Sequence, residues 1–262
     1  MTATGTFAPE PGAAPLARMI AAQTALETRM LLRNGEQLLL TVVIPTLLLT
    51  LFSAVDIISV PTGTAGGEGG AVDFLAPGIL ALAVMSTAFT GQAIATGFER
   101  RYGVLKRLAA SPLPRWALMT AKTGSVLVTE ILQITLLTVV AFALGWSPHG
   151  NPLVVVVLLA LGTAAFSGLG LLMAGTLKAE ATLAAANLVF ILLLVAGGVI
   201  VPLERFPEAA QSVLALLPVS ALSDGLRDVL QHGSGVPWGD LGILAVWAVL
   251  GLGAAARYFR WE

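Results

Sequence analysis

Six long apolar runs constrain this chain more than any other feature: Leu38 to Val55, Phe74 to Thr96, Thr123 to Trp146, Leu153 to Leu172, Ala184 to Val201 and Leu241 to Phe259. Each is close to the roughly 20 apolar residues that a helix needs to cross a bilayer. In the hydrocarbon core every backbone N–H and C=O must be satisfied within the chain, so runs of this length read as helices. Prolines and glycines inside them are tolerable, because neighbouring helices re-satisfy the freed groups. With 56% of its 262 residues hydrophobic and 11% charged, the chain is expected to be an all-α integral membrane protein with six transmembrane helices. No charged n-region, short apolar core and small-residue cleavage site open the sequence, so the first run is read as the insertion signal. Cysteine is absent, which removes disulfides, thiolate catalysis and thiolate metal sites together.

Charge orients the runs. Twelve of the fourteen Lys and Arg residues fall before the first run, between the second and third, after the fourth, and at the end of the last. By the positive-inside rule those connections are cytoplasmic. A multi-pass protein of the cell membrane with both termini in the cytoplasm follows. Only Arg205 and Arg227 fall outside, among an excess of acids that includes Asp56, Asp73, Glu204, Asp224, Asp228 and Asp240.

Three domain-level segments are expected: residues 1–12 disordered, residues 13–34 a cytoplasmic interfacial helix, and residues 35–262 the six-span transmembrane domain. In the second, Leu16, Met19, Ile20, Leu26, Met30 and Leu31 share an arc, with Arg18, Arg29 and Arg33 on an adjacent one, as in a helix lying along the inner leaflet. A cytoplasmic extension of the first span is the alternative. Before the last run, "VPLERFPEAAQSVLALLPVSALSDGLRDVLQHGSGVPWGD" holds apolar stretches too short to cross a bilayer, bounded by prolines. A re-entrant external helical hairpin packed on the spans is expected, with an ordinary external helical loop as the alternative.

Chemistry-bearing motifs are few. No G-x-x-x-x-G-K-[ST] occurs, so the loop that cradles nucleotide phosphates is missing. There is no H-E-x-x-H and no G-x-S-x-G, and His149 and His232 lie in separate predicted external loops. Neither catalysis, nor a metal site, nor a nucleic-acid partner is expected. Glu130 is the one acid well inside a run, about eight residues or roughly 12 Å from its cytoplasmic end. With Thr123 and Gln133 it forms one helical stripe, suited to a bundle interior or a water-accessible cavity. A structural, hydrogen-bonded carboxyl is the other reading. Ala164 to Gly168 and Gly170 to Ala174 have small-xxx-small spacing, read as close packing within the chain in preference to a dimer seam.

"FERRYGVLKRLAASPLPRW", Phe98 to Trp116, carries five basic residues in nineteen. Gly103 interrupts the continuation of the second span. Val104, Leu105, Leu108 and Ala109 then cluster on one face, Lys106 and Arg107 point away, and Ser111 and Pro112 stop the helix. A short amphipathic helix on the cytoplasmic surface is the product, open to a protein or to anionic lipid. Glu99, Arg100, Gly103, Leu105 and Ser111-Pro112 resemble the inner-loop pattern of ABC-2 type permeases, the transmembrane subunits of ATP-binding-cassette exporters that include the daunorubicin-resistance branch. Arg101 and Val104 depart from it, standing where an acid and a Thr are usual. The external segment is similar too, in Gly197, Gly198, Pro202, Leu203, Glu204, Phe206, Pro207, Leu217, Pro218, Asp224, Gly225, Leu226 and Arg227.

The resemblance implies a permease half that exports a hydrophobic or amphipathic drug, lipid or secondary metabolite. It would pair with a second permease chain, identical or homologous, above two cytoplasmic ATPase subunits that hold ATP and Mg. This chain itself would carry no cofactor. Glu99, Arg100, Arg101, Gly103, Val104, Leu105, Lys106, Arg107, Leu108, Ser111 and Pro112 would then form a coupling element for the ATPase, with Val104 and Leu108 on its docking face. The pathway would be lined by the first, second and fifth spans. Thr41, Thr46 and Thr50 are candidates there for lining or for inter-helix hydrogen bonds, alongside Glu130 and Gln133. Two readings compete: a proton-coupled secondary transporter using Glu130, and a non-transporting membrane scaffold.

Overall fold

A computed structural model describes residues 14–35, 39–54, 71–110, 112–199 and 206–260. Every regular element among the described residues is a helix. In chain order they are α1 (Leu16–Arg33), α2 (Ile44–Ala54, preceded by the π-helical Leu39–Val43), α3 (Ala71–Arg101) and α4 (Val104–Ala109). There follow α5 (Arg115–Ala143), α6 (Pro152–Thr176), α7 (Ala179–Ala196), α8 (Glu208–Leu214), α9 (Pro218–Leu230) and α10 (Trp238–Tyr258).

Proline sets most of the beginnings. Helices α1, α5, α8 and α10 follow directly on Pro15, Pro114, Pro207 and Pro237, while α6 and α9 have Pro152 and Pro218 in their first turn. Proline lacks the N–H that would be unpaired there and pre-sets a helical φ. At α6 the cap is completed by Asn151, whose side-chain oxygen accepts from the Leu153 amide at 2.9 Å.

Among the described residues five helices, α3, α5, α6, α7 and α10, are long and apolar enough to cross a membrane. They answer to five of the six apolar runs. The first run differs: its α-helical part is eleven residues, about 16 Å, preceded by a five-residue π-turn. Pro45 sits at that junction and cannot donate to the preceding turn, which favours a change of hydrogen-bond register there.

Helix α3 is the axis of the molecule, buried along most of its length. Its middle, Met85–Gly91, is π-helical between two α-helical parts, Ala71–Val84 and Gln92–Arg101. The most extensive helix pairing is α6 with α10. Gly168 makes it possible: a Cβ there would stand 2.5 Å from the Leu252 amide nitrogen and 2.6 Å from the Gly251 carbonyl carbon. Gly170 similarly lies against the backbone of Phe89. The small residues of α6 therefore admit neighbouring helices of the same chain. Helix α9, too short to cross, is buried on nearly every residue and packs on α3, α6 and α10, whereas α8 has no buried residue. The outer faces of α5, α6, α7 and α10 expose large apolar side chains such as Ile131, Val156, Ile191 and Val249, as lipid contact requires.

Residues 1–13, which contain the whole of the segment 1–12 expected to be disordered, lie outside the described residues, as do Ser111, Pro202 and Glu204. Nothing of the side chain of Thr41 is described.

Candidate functional site

At one end of the bundle, three consecutive charged residues close α3. Glu99 Oε2 accepts from Lys122 Nζ of α5 at 2.5 Å, and the same ammonium donates to Glu27 Oε1 of α1 at 3.0 Å. Lys122 is almost completely buried there. Gln23 Nε2 donates to Glu27 Oε1 at 2.9 Å, and Thr24 Oγ1 donates to the Ala121 carbonyl at 3.3 Å, so α1 is fastened along α5. Arg100 donates to the carbonyls of Ala174 at 2.8 Å and Leu177 at 2.6 Å, satisfying acceptors that the end of α6 leaves without intrahelical partners. Arg101 pairs with Glu180 in the first turn of α7. The Glu99-Arg100-Arg101 run thus ties α3 to α1, α5, α6 and α7.

The chain then turns at Gly103, whose φ of +69° puts it in the left-handed region that side chains avoid. Helix α4 follows with Leu105 fully buried in a small core with Leu118, Leu171, Ala255 and Phe259. Val104 and Leu108 are half-buried; Lys106, Arg107 and Pro112 are exposed, as are Tyr102 and Trp116 beside them. The apolar face of α4 is therefore turned towards its own bundle, because a six-residue helix needs that face to stay folded on the surface. What it offers a partner is basic and aromatic. Val104 and Leu108, expected on a docking face, are thus the half-buried residues of α4, and Lys106 and Arg107 its exposed ones.

A second feature is a cleft of about 580 Å³ between α2, α3 and α7. Leu82, Ile94 and Phe98 of α3, Ile44 of α2 and Leu183 and Phe190 of α7 make it apolar. Asn34, Ser86, Thr90 and Asn187 are its sparse polar points, and Thr90 Oγ1 is buried there with no hydrogen-bond partner among the described residues. Two of the four come from the π-helical turn, which re-aims side chains relative to a continuous α-helix. The candidates on the first run are placed differently: Thr46 Oγ1 donates back to Val42 O at 2.7 Å and Thr50 Oγ1 to Thr46 O at 2.9 Å.

Glu130 and Gln133 are buried in the bundle and do not border that cleft. Glu130 Oε2 accepts from Thr163 Oγ1 of α6 at 2.5 Å, while Glu130 Oε1 has no partner among the described residues. Gln133 Oε1 accepts from Thr87 Oγ1 of α3 at 2.8 Å. Thr123, on the same stripe, is half-buried.

At the opposite end, Arg227 of α9 donates to the Val199 carbonyl at 2.7 Å and to Asp224 Oδ1 at 3.1 Å, with its guanidinium 4.2 Å over the Phe74 ring. Gly78 of α3 makes room for it: a Cβ there would lie 2.6 Å from Val199 O and 3.0 Å from the guanidinium. Pro207 and Pro218 start α8 and α9.

Glu27, Lys122, Thr87, Thr90, Gln92, Thr163 and Asn187 were not singled out from the sequence. A signal existed for one of them, since Lys122, Ser125, Thr129 and Gln133 recur at three- and four-residue spacing and mark one polar stripe of α5.

Among known proteins, residues 12–257 match the model of the ABC-2 family transporter protein. The chain is also 28% identical over 167 residues to the linearmycin resistance permease protein LnrN of Bacillus subtilis (strain 168). That alignment covers 62% of this chain and 43% of the relative, so the chain spans less than half the length of the curated relative it matches. A family match across nearly the whole chain, on a bundle of helices fit to cross a membrane, leads to one conclusion: the chain belongs to the ABC-2 family of multi-pass membrane transporters.

Proposed function

We propose that this chain is the permease subunit of an exporter whose ATP hydrolysis is carried out by a separate cytoplasmic protein. Leu38 to Val55 would supply a sixth crossing, α1 would lie along the inner leaflet, and α9 would re-enter the outer one. Both termini would be cytoplasmic. Two ATPase subunits with their ATP and Mg would sit beneath a pair of permease chains. The cargo is a hydrophobic or amphipathic compound whose removal protects the cell, in line with the resistance named for the LnrN relative.

The observation that carries this reading is the double role of α3. Its middle walls the apolar cleft through Ser86, Thr90, Ile94 and Phe98, and its end is tied to four helices before turning at Gly103 into the exposed basic elbow. A displacement of Lys106 and Arg107 by an ATPase would be passed to the cleft wall through one continuous helix. The ATPase must contact that elbow differently in its two nucleotide states, or no work is transmitted. Thr90 and Asn187 replace Thr46 and Thr50 as the pathway residues proposed here.

Reconstitution tests it. Proteoliposomes holding this chain and a co-expressed ATPase should move cargo only with ATP; transport on a proton gradient by the chain alone would sink the proposal. The partnerless Glu130 Oε1 is the feature that favours the proton-coupled alternative. Under the exporter reading Glu130→Gln retains ATP-driven transport, with the same pH profile as the parent.

A further inference from the structure

A separate pocket of about 130 Å³ opens between α1, α3 and α5, meeting the cleft only at Asn34 and Ala95. A water needs roughly 10–15 Å³ on such a measure, so the space exceeds what one or two waters fill. Its charge does not balance: among the described residues Glu27 and Glu99 share the one ammonium of Lys122, which leaves one excess negative charge in a largely buried setting when both carboxylates are ionised. Buried charge of that kind calls for a counter-charge. The polar wall is also rich in acceptors. Ser125 and Thr129 have given their hydroxyl hydrogens to the carbonyls of Lys122 and Ser125, at 2.8 and 3.0 Å, so their oxygens present lone pairs. Gln92 is the independent sign of a ligand. It borders the pocket, is 5% exposed, and both its side-chain oxygen and nitrogen are buried with no partner among the described residues. Gln92 and Glu99 are seven residues apart and so share a face of α3.

We propose that this pocket binds a primary ammonium group. Such a group brings one positive charge and three N–H donors, matching the excess carboxylate and the Gln92 oxygen. Met30, Leu31 and Val126 supply an apolar border that accepts attached methylene groups. The ammonium can be presented by an ethanolamine-headed phospholipid, since α1 is read as lying at the level of the headgroups, or by a small soluble amine. A choline headgroup carries the same charge with no N–H to donate, and is excluded by the same logic.

The full chain in phosphatidylcholine/phosphatidylglycerol nanodiscs tests this without any transport measurement, so its outcome is independent of the exporter reading. Phosphatidylcholine is replaced stepwise by phosphatidylethanolamine, thermal unfolding is followed by tryptophan fluorescence, and retained lipid is read by native mass spectrometry. Unfolding of the parent chain should shift upward by several degrees with phosphatidylethanolamine. Gln92→Leu should need about tenfold more of it, while melting at or above the parent temperature without it, because it removes a partnerless buried amide. A shift produced by millimolar ethanolamine but not by the lipid also supports the ammonium site and identifies a soluble amine as its source. No shift with either probe, or an equal shift in Gln92→Leu, overturns the proposal and leaves a proton to neutralise the pocket.

Discussion

Removing the ammonium of Lys122 would leave Glu27 and Glu99 facing one another with no cation between them. Breaking a buried pair from one side costs about 3–5 kcal/mol, since the surviving charge is stranded. Lys122→Met is therefore expected to lower the melting temperature of the reconstituted chain sharply, and Glu27→Gln combined with Lys122→Met by less than the sum of the single changes. Strict additivity in that double-mutant cycle would rule out the coupling. Arg227 presents a different case, because its planar fork reaches the Val199 carbonyl and Asp224 together. Lysine is a point donor on a flexible stem, so Arg227→Lys should cost roughly 1–3 kcal/mol in chemical or thermal unfolding, although charge is conserved. Sequence reading marked Arg227 through its motif and Lys122 only as an inner-loop charge. Their partners lie on other helices, at separations such as Glu27 to Lys122 that local pattern cannot connect.

Among the elements, α4 and the α6–α10 pair show how backbone sterics decide tolerance. A Cβ at Gly103 would meet nothing within 4 Å, so the left-handed φ alone opposes substitution there. Gly103→Ala should cost about 1 kcal/mol and leave assembly intact, whereas Gly103→Val, with a branched Cβ, should be worse. At Gly168 the conformation is ordinary and the space is missing. Gly168→Ala must push α10 away and should reduce monodisperse protein in fluorescence-detected size exclusion more than Gly251→Ala, whose Cβ would find 3.2 Å to its nearest neighbour. Equal behaviour of the two would refute that packing. Helix starts were legible from proline and the long helices from their apolar runs. The π-helical turn in α3 was not legible, because a shift of hydrogen-bond register leaves no signature in hydropathy.

For the molecule as a whole, the exporter reading proposed above makes the basic elbow the surface that meets a cytoplasmic ATPase. Charge reversal at Lys106 and Arg107 should weaken ATPase association at low salt while the permease stays folded, measured by co-purification across ionic strength. Leu105→Ala should instead lower stability, because Leu105 is fully buried in the chain's own core. If Leu105→Ala spares the fold and abolishes association, the assignment of faces on α4 is inverted.

Class, five of the membrane-crossing helices, the family and the position of the elbow all followed from sequence alone. Hydropathy, proline placement and contiguous motifs are local properties, and a bilayer admits few folds for a chain so apolar. Which face of α4 points outward, why Glu99, Arg100 and Arg101 are spent on their own bundle, and how Gln92 comes to border an acidic pocket were decided only by tertiary structure. Each depends on helices far apart in the chain arriving side by side, and burial and charge balance become properties of a residue only once its neighbours are in place.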